Sequence, residues 1–150
     1  MIYEKGVTEK IQQFNEVLLE LGQPELQRNP LFSINQDRNY EHYTEVKINH
    51  PEKLFVLMVF SNDGFTVNMD RSSEIYDFSS EFMQANPKAT QNIMKGILTA
   101  SVEIRYYGPS LTKFIFHPMK GEIYRSVKVY TGLLLWPFAQ IKKFNPILQR

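Results

Sequence analysis

Residues 54 to 69 read LFVLMVFSNDGFTVNM, and this stretch decides the fold. Leu54 to Ser61 is apolar at successive positions, so both faces of an extended chain would be apolar, as in a central strand. Phe65, Val67 and Met69 then alternate with Thr66, Asn68 and Asp70, the period of a strand with one wet face. Asn62-Asp63-Gly64 between them predicts a hairpin, with Gly64 at the φ > 0 position of a bulge. Two strands joined this tightly must be antiparallel.

The same period extends upstream. His42, Thr44, Val46 and Ile48 alternate with Glu41, Tyr43, Glu45, Lys47 and Asn49, which predicts a further strand ended by Pro51. Before it, Ile11, Phe14, Leu18 and Leu21 recur at helical spacing from a Thr8 N-cap until Gly22 and Pro24. The polar residues Lys10, Gln13, Glu16 and Glu20 occupy the other face of that helix.

Downstream, Ser72 or Ser73 is expected to open a short helix with Ile75, Phe78 and Phe82 on one stripe. Asp70, Glu74, Asp77 and Glu81 form a second, acidic stripe at spacings of four, three and four. Pro87 suits the first turn of another helix, which carries Ile93, Met94, Ile97 and Leu98. The period returns to two through Val102, Ile104 and Tyr106, then in Leu111 to His117 and Glu122 to Thr131. Leu133 to Trp136 could begin a helix interrupted by Pro137, with Phe138, Ile141, Phe144 and Leu148 at helical spacing beyond it. That tail either closes the sheet or serves as a docking segment. The fold class is therefore α+β in the order α-βββ-αα-βββ-tail: one domain over 1–150, an antiparallel sheet of about six strands and helices covering one face.

Composition narrows the chemistry. A chain of 150 residues with 43% hydrophobic and 13% aromatic content can build a core, and it contains no cysteine. Thiol catalysis, Cys-based metal sites and disulfides are excluded. His42, His50 and His117 lack metal-ligand spacing, and no Ser-nucleophile or glycine-rich phosphate motif occurs, so no catalytic residue, metal or cofactor is assigned. The opening Met1-Ile2-Tyr3-Glu4-Lys5 does not read as a signal peptide, and the longest apolar runs are far short of the ~20 residues that span a bilayer. A cytoplasmic location without a transmembrane segment is the expectation.

Charge is sorted along the chain. Residues 1 to 90 carry fourteen Asp/Glu against eight Lys/Arg, and residues 91 to 150 carry two against nine, giving −6 followed by +7. Such asymmetry points to an electrostatic partner. The first expectation is a non-enzymatic protein-binding module, comparable in size and α+β architecture to small bacterial immunity, inhibitor or secretion-chaperone proteins. Asp70, Glu74, Asp77 and Glu81 would occlude a partner's basic site. The alternative is nucleic-acid or polyanion binding by Arg105, Tyr107, Lys113, Tyr124, Lys128 and Tyr130, whose strand positions could share a basic, tyrosine-bearing face. A third is an enzyme or ligand carrier with a pocket between sheet and helices. The complementary halves also allow pairing between copies of the chain.

Overall fold

The apolar run is the middle strand of an antiparallel meander. The structure, a computed structural model, describes residues 5–35, 43–48, 50, 52–70, 74–107, 111–117, 125–130 and 140–148. Helix α1 (Lys5–Glu20) and a 3-10 turn (Leu26–Arg28) lead into strands β1 (Ser33–Asn35), β2 (Tyr43–Ile48), β3 (Val56–Ser61), β4 (Gly64–Met69) and β5 (Glu74–Ser79). Helices α2 (Ser80–Ala85) and α3 (Pro87–Thr99) follow, then β6 (Ser101–Tyr107), β7 (Leu111–His117), β8 (Arg125–Tyr130) and β9 (Gln140–Phe144). The first sheet has the order β1-β2-β3-β4-β5, the second β8-β7-β6-β9, and each paired strand is antiparallel to its neighbour.

The α+β class and antiparallel pairing follow the sequence expectation, but among the described residues there are nine strands in two sheets. β3 is central in the first sheet, with Val46 of β2 opposite Met58 and Val67 of β4 opposite Met58 on its other side. Those residues belong to the buried face, together with Ile48, Val56, Phe60, Phe65 and Met69. Helix α1 seats Phe14 against this face, 5.7 Å from the Phe60 ring centroid. Val7, Ile11 and Leu18 are buried beside it, which makes the predicted stripe the packing surface. α3 adds Met94, Ile97 and Leu98, and the second sheet adds Val102, Ile104, Phe114 and Phe116 to one continuous core. The full burial of side chains of this size contributes roughly 1.5–3 kcal/mol apiece.

Four local expectations are corrected. First, residues 74–79 are a strand, and the helix begins only at Ser80. Pairing with β4 wins over helical spacing because it stacks Phe78 on Phe65, with centroids 6.3 Å apart, and Ser79 caps α2 by accepting from the Phe82 N–H at 3.1 Å. Second, Gly64 has no positive φ; a Cβ there would collide with the Phe78 carbonyl oxygen, so glycine is required by close approach of β5. Third, Thr8 lies inside α1, which already runs from Lys5, and Lys10 on its presumed polar face is buried. Fourth, 140–144 is a strand rather than part of a helix: Ile141 is 51% exposed, whereas Ile147 and Leu148 are buried. Residues 133–139 of the expected tail segment lie outside the described residues.

Candidate interaction surfaces

The outer face of the first sheet follows from its register. Cross-strand partners share a face, so one row runs Asn35, Glu45, Val59, Thr66, Asp77 and the next runs Ser33, Lys47, Leu57, Asn68, Glu74. Glu74 and Asp77 are three residues apart and would point oppositely on a regular strand. A bulge brings them together: Val67 pairs with Tyr76 but Asn68 pairs with Glu74, leaving Ile75 as the additional residue. The face thus has half-buried Leu57 and Val59 at its centre, Thr66 and Asn68 beside them, and Glu45, Lys47, Glu74 and Asp77 toward its sides. Glu45 and Lys47 approach to 3.9 Å, a separation at which a partly exposed pair contributes little. These charged groups sum to −2. Helix α1 is on the opposite face, through Phe14 and Phe60.

The four expected acidic residues therefore do not form one helical stripe. Glu74 and Asp77 share the sheet face; Glu81 is exposed in the first turn of α2. Asp70 is turned inward at the end of β4, with φ 52, a left-handed conformation that Asp tolerates better than most residues. Its carboxylate accepts from the Tyr106 hydroxyl and from Lys142 Nζ at 3.2 Å, and Lys142 lies 5.6 Å from the Tyr106 ring centroid. It ties the first sheet to β6 and β9 of the second and is only 15% exposed, so it is a junction rather than a free contact. Leu57 and Val59 were missed as surface residues. Their signal was present, since a strand apolar on both faces must show one of them to solvent if the helices cover only the other.

The second sheet aligns its cations. Arg105 lies opposite Lys113, Lys113 opposite Lys128, and one row further Tyr107, Leu111 and Tyr130 are in register. The faces inferred separately for three strands are one face. For 125–130 only the backbone is described, and Tyr124 lies outside the described residues. Arg105 Nη2 donates to Glu103 Oε2 at 3.1 Å. The hydrogen bond to Tyr107, followed by the charge of Glu103, raises the guanidinium pKa above its ordinary value against the opposing effect of desolvation. His117 Nε2 is 4.0 Å from the same Glu103 oxygen. Ile115, in the next row, is fully buried, so the open part of this face is its Arg105–Tyr107 end.

Other polar features serve the fold. The buried Lys10 ammonium donates to the carbonyls of Gly6 and Asn62 at 3.1 and 3.3 Å, anchoring the β3–β4 turn to α1, and desolvation lowers its pKa. A cleft of about 530 Å³ lies among Pro24, Asn29, Leu31, Lys53 and Leu148, but Lys53 is spent on the Ile147 carbonyl at 2.6 Å. A smaller one of about 160 Å³ separates α1 from α2 beside Lys10 and Met83. Among the described residues no three His, Asp or Glu gather in a metal-holding group, and no helix is long and apolar enough to cross a membrane. No protein-family model, curated protein or solved structure matches the chain.

Proposed function

We propose that the protein is a non-enzymatic binding module that docks a basic protein surface on the outer face of its first sheet. One observation carries this reading: Leu57 and Val59 occupy the centre of that face, with polar and predominantly acidic residues around them. An apolar centre inside a charged rim is the anatomy of a protein interface. Leu57 and Val59 supply the desolvated contact, while Glu45, Glu74 and Asp77 steer a cationic partner and disfavour acidic ones. Docking there would occlude the partner's own basic site.

Size adds a constraint. With strand spacing of about 4.8 Å and a rise of about 3.4 Å per residue, five strands by five residues cover roughly 20 by 17 Å, on the order of 300 Å². A standard interface takes about 800 Å² from each partner. The contact must therefore extend past the sheet.

The test is affinity capture from native cell extract with the wild type, the Leu57→Gln/Val59→Thr pair and the Glu74→Lys/Asp77→Lys pair. Wild type should retain a basic protein that both pairs lose, with melting temperatures of all three within a few degrees. Retention of the same protein by both folded pairs would refute the reading.

A further inference from the structure

We infer that the outer face of the second sheet is a separate binding site for single-stranded nucleic acid, with the Arg105–Lys113–Lys128 row tracking phosphates and the Tyr107–Tyr130 row meeting bases. The register supplies the geometry. Three cationic positions stand directly opposite one another on adjacent strands, spanning about 10 Å, and two tyrosine positions lie parallel to them two residues further along, about 7 Å away.

Folding alone gives no reason for this alignment. Like charges placed directly opposite on neighbouring strands are destabilising, and the row does so twice. Glu103 offsets Arg105, but among the described residues Lys113 has no ion-pair partner and is half-buried between the two other cationic positions. A bound polyanion removes that repulsion.

The second row selects among polyanions. An acidic polypeptide would be satisfied by the cations and has no use for a tyrosine line at backbone-to-base distance; single strands use both, because every base has a face that can stack. Arg105 is already oriented by Glu103 and Tyr107, so its guanidinium is held in place before a phosphate arrives. Ile115 and Glu103 in the row behind have little exposure, which leaves the Arg105–Tyr107 end of the face as the part a ligand can reach.

The probe is a fluorescein-labelled 20-nucleotide oligo-dT, titrated with the full chain at 25 mM and 150 mM salt, with polyglutamate of equal charge as competitor. Binding should weaken as salt rises, with a slope of log affinity on log salt of roughly −2, about −0.7 for each of three neutralised phosphates. Lys113→Glu should weaken binding at least about tenfold while leaving the melting temperature unchanged or slightly raised, since it relieves the row's repulsion. Tyr107→Ala should weaken it about tenfold, within the range of one lost stacking partner.

Absence of binding at about 50 µM protein in low salt overturns the proposal. So does equal affinity in folded Lys113→Glu. Displacement by polyglutamate as effective as by unlabelled oligo-dT assigns the face to acidic proteins instead. Leu57→Gln/Val59→Thr must bind oligo-dT normally, so this site and the first-sheet docking face fail or stand independently.

Discussion

The two sheets share antiparallel pairing and a common core but use their outer faces in opposite ways. In the first, each strand pairs with its successor, and the centre of the exposed face is apolar with acidic residues at the sides. In the second, β9 returns to pair with β6, and the outer face sets half-buried Arg105 opposite Lys113, with position 128 in register beside them. The −6 and +7 halves of the chain therefore become two surfaces with different chemistry. Burial of the inner faces dictates the fold, and it leaves the outer faces free to be specialised.

The largest effect is expected inside the first sheet. Gly64→Val places a side chain against the Phe78 carbonyl, backbone that cannot yield without separating β4 from β5. The loss should be about 4 kcal/mol, in the range reserved for severe overpacking, and denaturant unfolding measures it. An unchanged midpoint would mean that β5 is not paired at that point, and with it the common face of Glu74 and Asp77 would go.

A smaller effect is expected where the sheets meet. Asp70→Ala deletes the acceptor for Tyr106 and Lys142 and puts alanine at φ 52, for a combined cost of about 3 kcal/mol. Asp70→Asn keeps the backbone preference and one acceptor and should cost about half as much, read from the same denaturant midpoints. Equal costs for the two variants would assign the effect to the lost carboxylate contacts alone, and a cost in Asp70→Ala only would assign it to backbone conformation. A negligible cost in both would show that the sheets are held together by the apolar core without this junction.

Parts of this architecture were legible in the sequence because their signal is local. The alternation in 43–48 and 64–69, the run at 54–60, Pro87 at the head of α3 and the α1 stripe each name one element, and each is present. β5 was not legible. Ile75, Phe78 and Phe82 have helical spacing, and the bulge at Ile75 breaks the period of two, so only pairing with β4 reveals the strand. β9 was hidden for a related reason: its partner β6 is about forty residues earlier, with Ile104 opposite Lys142.

The surfaces divide in the same way. Alternation placed Arg105 with Tyr107 and Lys128 with Tyr130 on single-strand faces, but their alignment needed the register between strands. The acidic group was misread because spacing cannot distinguish Asp70, which is consumed by Tyr106 and Lys142, from Asp77, which is exposed. Charge pattern identifies candidates; burial decides which of them remain available.

Docking on the first sheet is read most directly by methyl-labelled NMR of the 17.7 kDa chain during titration with the protein it captures. The Leu57 and Val59 methyl resonances should shift or broaden with increasing partner, while those of Leu111, Ile115 and Ile141 on the second sheet stay fixed. Unmoved Leu57 and Val59 resonances beside a shifting second-sheet set would contradict docking at the first sheet.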